Sequence, residues 1–212
     1  MNREEKNALS RQRILEAALE EFSQKGYEAA SLSNVCAEKG ISKGIIYHHF
    51  KDKDALYLLC VEDCFDRVCA YLREAAGKLS GTAEEKLAAY FDARLRFFAL
   101  QPVYLGIFAE AAFNPPPALA EEIARRRQGF DRLNAAVLSH MLETAPLRKG
   151  LNAAAVVEDF RMYMDYFNLR FRTAFRSGRS MDEILTEHEK KCRRQLDILL
   201  HGVLEDRNEE ST

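Results

Sequence analysis

Apolar residues recur along most of the chain at intervals of three and four, the spacing that gathers them on one face of an α-helix. In the first such segment Ile14, Ala18 and Phe22 form one row. This row predicts a first helix over about residues 10–25, ended by Gly26. No stretch shows a convincing alternation typical of a half-buried strand. The pattern therefore predicts an all-α fold.

Proline, glycine and capping residues divide the rest of the chain into further helices. Thr82-Ala-Glu-Glu85 and Ser180-Met-Asp-Glu183 have the spacing of capping boxes, and Pro115-Pro116-Pro117 is a stiff break. About nine helices are predicted, over residues 10–25, 31–40, 42–50, 52–77, 82–100, 102–114, 118–144, 152–176 and 180–205. A change of composition near residue 77 predicts a small N-terminal domain, 10–70, and a larger C-terminal domain, 71–205.

The most informative stretch is residues 31–53, which predicts two short helices joined by a tight turn at Gly40. Ser42 is placed to cap the second helix, which carries a lysine, a tyrosine and two histidines within two turns. This is the arrangement of a helix-turn-helix, whose second helix enters the major groove of DNA. The N-terminal domain is therefore predicted to be a three-helix DNA-binding domain.

The net charge of the chain indicates which kind of DNA binding to expect. The chain has 212 residues and a formal net charge of −2. Over residues 1–53, nine Lys and Arg stand against eight Asp and Glu. Since phosphate binding depends on where cations lie, any affinity for DNA must come from local placement. A protein that coats DNA without regard to sequence would be far more basic.

The location of the protein is predicted from segments that the chain lacks. No apolar run approaches the ~18 residues of a membrane span, and the first residues, Met-Asn-Arg-Glu-Glu-Lys, have no apolar core of a signal peptide behind them. The five cysteines are odd in number and unclustered, which fits a reducing compartment. We therefore expect a cytoplasmic protein.

Several of these residues together resemble the tetracycline-repressor-like (TetR) family of transcriptional regulators. The resemblance covers about residues 10–60. It rests on Gly26-Tyr27, Ser31, Val35-Cys36, the run Gly40-Ile-Ser-Lys-Gly-Ile-Ile-Tyr-His-His-Phe50, Lys53 and Leu56. It implies a homodimer, most often a repressor, whose larger C-terminal domain binds a small ligand and pairs two subunits. Ligand binding would then release the protein from its operator.

The resemblance also implies which residues contact DNA. These are Ser31, Ser33, Ser42, Lys43, Gly44, Ile45, Tyr47, His48, His49 and Lys53. Lys43 can donate to guanine O6 and N7, and Ile45 can touch a thymine methyl group. Gly44 allows close approach to the DNA backbone. Tyr47, His48 and Lys53 are similar to the family's phosphate contacts.

In the C-terminal domain the family implies a pocket and a subunit interface. The predicted lining of the pocket is Phe98, Tyr104, Phe108, Met162, Tyr163 and Tyr166. Its mixture of apolar surface and phenol groups suits a small apolar or aromatic ligand. The predicted interface is Val157, Phe160, Met164, Leu196, Leu199, Leu200 and Val203. For both sets, a helical core within one chain is the competing interpretation.

Other classes of function find less support in the sequence. The sequence lacks a Gly-rich phosphate loop, a His-x-x-x-His or Cys-x-x-Cys pair and a nucleophile elbow. We therefore expect neither enzyme activity nor a cofactor. His48 and His49 point about 100° apart on a helix, which makes a poor metal chelate. Two alternatives stay open: a regulator without a ligand, and an adaptor whose helix-turn-helix binds protein.

Overall fold

The described part of the chain consists of helices joined by turns and loops. The computed structural model describes residues 2–143, 145–171 and 181–204. Within these ranges the helices are α1 Arg3–Ala29, α2 Leu32–Glu38, α3 Lys43–His49, α4 Lys53–Ala76, α5 Ala83–Leu100, α6 Val103–Phe113, α7 Ala120–Glu143, α8 Ala153–Phe171 and α9 Met181–Val203. A 3-10 turn, Pro117–Leu119, precedes α7. The predicted all-α class with about nine helices is confirmed.

The first helix begins earlier than predicted, at Arg3 instead of Ser10. A capping box starts it, in which the Asn2 side chain accepts from the Glu5 N–H at 2.7 Å and Glu5 accepts from the Asn2 N–H at 2.8 Å. Because the first two turns are polar, apolar periodicity does not reveal them. The extra turns place Lys6 and Leu9 on α1.

Gly26, predicted to end the first helix, interrupts α1, which continues to Ala29. Its φ of 71° and ψ of 172° lie outside the helical region, where a residue with a Cβ would be strained. The Ala30 N–H donates to the Gly26 carbonyl at 3.2 Å and closes the turn beyond the break. We call residues 26–31 the connector, since they lead from α1 into α2.

Some predicted boundaries lie outside the described residues. These are the end of the eighth helix near Arg176 and the capping box at Ser180. The last helix, predicted to end near residue 205, ends at Val203.

The chain divides into two compact units. Unit 1 comprises Met1–Arg67 and Phe98–Gln128, and unit 2 comprises Val68–Phe97 and Gly129–Thr212. The division differs from the predicted boundary at residue 70, because α6 packs against α1 and joins the same unit as the helix-turn-helix. The functions predicted for domains 10–70 and 71–205 stay predictions.

The core of unit 1 forms between α1 and the elements around it. The apolar row Ile14, Ala18 and Phe22 is buried as predicted. On the other side of α1, Gly106 of α6 lies so close that a Cβ there would be 2.2 Å from the Ser23 carbonyl oxygen. α1 and α6 are therefore in direct backbone contact.

Unit 2 contains a buried charged cluster that periodicity did not predict. Arg94 of α5 donates to the Glu189 carboxylate of α9 at 2.6 Å, and both side chains are more than nine-tenths buried. His188 lies beside them and contacts Asn168 of α8 at 2.8 Å. Because breaking a buried ion pair leaves an uncompensated charge, this cluster holds α5, α8 and α9 in one arrangement.

Candidate functional site

The α3 helix is anchored on one side and open on the other. Ile46 is completely buried and Phe50 nearly so, which fixes α3 against the rest of unit 1. The turn before it is closed by Gly40, with φ of 61°, and by the Ile41 N–H, which donates to the Cys36 carbonyl at 2.8 Å. Residues exposed on the open side are Ser42, Lys43, Gly44, Ile45, Tyr47 and His48.

The predicted DNA residues of α2 differ in their environment. Ser33 is exposed, whereas Ser31 caps α2 by accepting from the Asn34 N–H at 3.2 Å. The N–H of Ser31 donates to Glu21 at 3.0 Å, so this group is already bonded within the protein. Ser42 occupies the capping position of α3, but its hydroxyl makes no capping hydrogen bond. Cys36 is buried in the core of the unit.

The first turns of α1 lie beside the start of α3. A small cavity of about 190 Å³ is lined by Lys6, Leu9, Ser10, Arg13, Gly40, Ile41 and Ile45. Arg13 also donates to the Lys39 carbonyl at 3.0 Å, which ties α1 to the turn. Lys6 and Leu9 therefore border the exposed face of α3. Sequence reasoning missed them because the predicted first helix began too late.

Lys53 has partners within the protein. Its ammonium donates to the carbonyls of Glu28 at 3.2 Å and Ala30 at 2.9 Å, and lies 4.5 Å from the centre of the Tyr27 ring. Cations at this position stabilise the last carbonyls of a helix. The phosphate contact predicted for Lys53 stays a prediction. In this structure its ammonium donates hydrogen bonds to carbonyls of the connector.

His48 and His49 differ in exposure. Their rings lie edge to face with centroids 5.1 Å apart, and His49 is the more buried. Burial lowers the pKa of His49 from its usual 6.5, and the neighbouring His48 and Arg11 lower it further. Among the described residues, no group of three or more His, Cys, Asp and Glu is arranged to hold a metal ion.

The six predicted ligand residues do not come together in one unit. Phe98, Tyr104 and Phe108 are buried in unit 1, where the Tyr104 hydroxyl donates to Asp63 at 2.6 Å. Met162, Tyr163 and Tyr166 lie on α8 in unit 2. Met162 and Tyr166 are 54% and 61% exposed, so within the described chain they belong to its surface.

Unit 2 has a groove of about 1100 Å³ between α5 and α9. Its floor is apolar and its rim is charged. The apolar lining consists of Leu87, Ala88, Phe91, Leu95, Leu196 and Leu200. None of the six predicted ligand residues lines this groove, and their role in binding a ligand stays a prediction.

The predicted interface residues also divide into two groups. Leu196 and Leu200 are 1% and 2% exposed and line the groove beside α5, and their place in a subunit interface stays a prediction. Val157, Phe160, Met164, Leu199 and Val203 are half-buried. Apolar side chains that are more exposed on α8 and α9 are Met162, Tyr166, Leu169 and Ile198.

No described helix is long and apolar enough to cross a membrane.

The geometry of α2, the turn and α3 defines the class of this unit. One short helix is buried on its inner side, a glycine turns the chain, and the next helix presents polar and apolar side chains outward. This is the architecture of a helix-turn-helix. Residues 14–60 match the family described as "Bacterial regulatory proteins, tetR family". This domain is therefore similar to that family, and the resemblance seen in the sequence is confirmed.

The curated relatives match part of the chain. HTH-type transcriptional regulator UidR of Escherichia coli K12 is 42% identical over 65 residues, 31% of this chain and 33% of UidR. HTH-type transcriptional repressor AcnR of Corynebacterium efficiens is 38% identical over 76 residues, 36% of this chain and 35% of AcnR. The chain thus spans about a third of the length of these curated relatives.

The likeness of the fold extends over nearly the whole chain. Transcriptional regulator FadR from Bacillus subtilis, solved in complex with stearoyl-CoA, has a TM-score of 0.67 at 18% identity, covering 90% of this chain and 98% of FadR. A TetR-family regulator from Agrobacterium tumefaciens has a TM-score of 0.65 at 19% identity, covering 94% and 100%. At these identities the likeness shows a shared fold.

Proposed function

We propose that this protein is a homodimeric regulator of transcription. It binds a palindromic operator in double-stranded DNA through α3 and leaves the operator when a small molecule binds. The observation that carries this proposal is the exposed face of α3, with Lys43, Ile45, Tyr47 and His48 outward and Ile46 buried beneath them. The match of residues 14–60 to the TetR family supports it.

The exposed residues suit two kinds of DNA contact. Lys43 and Ile45 have the chemistry to contact base edges, a guanine and a thymine methyl respectively. Tyr47 and His48 lie beyond them on the exposed side and can bind phosphates, which position a protein without reading sequence. The near balance of charge in residues 1–53 favours a few placed contacts over bulk attraction.

Dimerisation is proposed because one short helix reads too few base pairs. A two-fold dimer reads two half-sites about 34–36 Å apart or a multiple of that distance. Met162, Tyr166 and Leu169 follow one another along α8 at intervals of four and three, and all three are exposed. Such an apolar stripe suits a second copy of the chain, with Ile198 of α9 as a further candidate.

The proposals of a small ligand and of repression are based on the family and on the names of similar proteins. FadR, which shares the fold, binds stearoyl-CoA, and AcnR is a repressor. We therefore propose a small apolar or aromatic ligand, held by the C-terminal domain, and repression as the default activity. A regulator that binds chromosomal DNA works in the cytoplasm.

A selection experiment tests the proposal. The purified protein would be used to select duplexes from a random 30-base-pair library, and the winning sequence assayed by gel shift from 50 to 200 mM salt. We expect a palindromic duplex, bound by two chains, with affinity that falls steeply with salt. Failure to enrich any sequence would remove the proposal in favour of a protein-binding adaptor.

A further inference from the structure

The connector, residues 26–31, is held from both ends by side chains that lie far away in sequence. At its start the Tyr27 N–H donates to both oxygens of Glu110 on α6, each at 3.0 Å. Near its end the carbonyls of Glu28 and Ala30 accept from Lys53 on α4. The next residue, Ser31, is the cap of α2. The two side chains therefore determine the path by which the chain enters the helix-turn-helix.

Glu110 is built into this position. Besides the Tyr27 N–H it accepts from the Tyr57 hydroxyl at 2.8 Å, and Tyr57 is completely buried. Gly26 leaves room for the carboxylate, since a Cβ there would lie 3.0 Å from Glu110 Oε1. Burial raises the pKa of Glu110, while its hydrogen bonds from Tyr57 and the Tyr27 N–H act in the opposite direction. It is the single charged residue of α6, Val-Tyr-Leu-Gly-Ile-Phe-Ala-Glu-Ala-Ala-Phe.

Tyr27 connects the two holding points. The Lys53 ammonium lies over one face of the Tyr27 ring. The Tyr27 hydroxyl donates to Asp54 at 2.5 Å. Tyr27 also packs against Tyr57, with ring centroids 5.0 Å apart. α1, α4 and α6 thus meet at one tyrosine, directly before α2.

We propose that Glu110 and Lys53 are positioning residues for DNA recognition: together they fix the connector, and through it the orientation in which α2 and α3 meet the major groove. This inference rests on the proposed function. Neither side chain needs to touch DNA. The role given to Lys53 differs from the phosphate contact that the family resemblance implies.

The experiment compares two duplexes and several variants. The specific probe is the duplex selected by the unaltered protein, and the non-specific probe is a scrambled duplex of equal length. The variants are Glu110→Ala, Glu110→Gln and Lys53→Met, with Asp66→Asn, an exposed carboxylate of the same unit, as the matched control. Thermal unfolding of each variant sets an assay temperature at which all are folded.

We expect Glu110→Ala and Lys53→Met to bind the specific duplex about tenfold more weakly, about 1.4 kcal/mol, and the scrambled duplex nearly as before. A defect of stability alone would not change this ratio in folded protein. The salt slope should not change, because no phosphate contact is lost. Glu110→Gln should recover most of the affinity, since its amide oxygen can accept the Tyr27 N–H and its NH₂ can donate to the Tyr57 oxygen.

Two results would overturn the inference. If Lys53→Met weakens both duplexes equally and reduces the salt slope by about 0.9, Lys53 binds a phosphate. If both Glu110 variants bind like the unaltered protein, the connector does not depend on α6. Failure of the unaltered protein to bind any duplex is a different outcome, which removes the proposed function itself.

Discussion

The recognition helix and the connector use their polar groups in opposite ways. Within the described residues, the Lys43 side chain of α3 makes no hydrogen bond or ion pair, and Tyr47 is 59% exposed. In the connector, by contrast, the Tyr27 N–H and the carbonyls of Glu28 and Ala30 are all bonded to side chains of other helices. The same unit therefore keeps one surface open and a neighbouring segment tightly held.

The difference separates recognition from stability. A residue on the open face of α3 can change what the protein binds without changing how firmly it folds, because it has few contacts to lose. A residue around the connector contributes to folding and to the placement of α3 together. Substitutions in the two regions should therefore give different pairs of results when unfolding and DNA binding are measured side by side.

The largest effect on folding is expected where α6 touches α1. In Gly106→Ala the new Cβ would collide with the Ser23 carbonyl, and crowding of this kind costs about 1–3 kcal/mol of unfolding free energy. Gly129→Ala is the matched control: Gly129 is also within a helix, but a Cβ there meets nothing within 4 Å, so Ala should add about 0.5–1 kcal/mol. Urea unfolding measures both, and equal effects would contradict the close contact.

On the open face, Lys43→Ala should change base preference and leave stability unaltered. Loss of a bidentate contact to guanine costs about 1–3 kcal/mol of discrimination at a single base pair. Binding to a set of operators, each altered at one position, measures the change. If Lys43→Ala lowered affinity equally for every operator, Lys43 would be a phosphate contact, and base reading would fall to other residues.

Gly44→Ala should increase the stability of the fold and weaken operator binding, so it separates the two properties. A Cβ at Gly44 meets nothing within 4 Å in the free protein, and alanine is the better helix former by roughly 1 kcal/mol. If α3 approaches the DNA backbone closely there, the methyl group should weaken operator binding roughly tenfold, about 1.4 kcal/mol. Unfolding and gel-shift assays on the same preparation measure both effects. Unchanged affinity would mean that DNA passes this residue at a distance.

Local sequence predicted the helix-turn-helix well because its determinants are local. The glycine turn at Gly40, the capping position of Ser42 and the apolar anchors Ile46 and Phe50 all lie within eleven residues. The holding of the connector could not be predicted in this way, since Glu110 and Tyr27 are 83 residues apart. One signal was available: an isolated carboxylate in an otherwise apolar helix needs a buried partner.

The C-terminal part was predicted less completely, also for a physical reason. Periodicity shows which residues share a helix face, but not what covers that face. Leu196 and Leu200 lie on an apolar face of α9, and within the chain they are buried and line the groove between α9 and α5. Likewise the aromatic pattern did not distinguish exposed Met162 and Tyr166 from buried Phe98 and Phe108.

The smallest expected effect on operator binding concerns His49. It is partly buried at the end of α3, beside the exposed face of that helix. Burial, with the charges of His48 and Arg11, lowers its pKa below 6.5, so it is mostly neutral at pH 7.5. A phosphate nearby would favour the imidazolium, and binding would then take up a proton. Operator affinity should therefore rise as pH falls.

His49→Gln should flatten this pH dependence while changing affinity little at pH 7.5, less than Gly44→Ala does. Gel shifts between pH 6.0 and 8.0 measure it, with His48→Gln as the companion variant. If the dependence is lost in His49→Gln and kept in His48→Gln, the proton belongs to His49, and the open face extends to the last residue of α3. The reverse pattern assigns the proton to His48 and places His49 with Phe50 among the residues that anchor the helix.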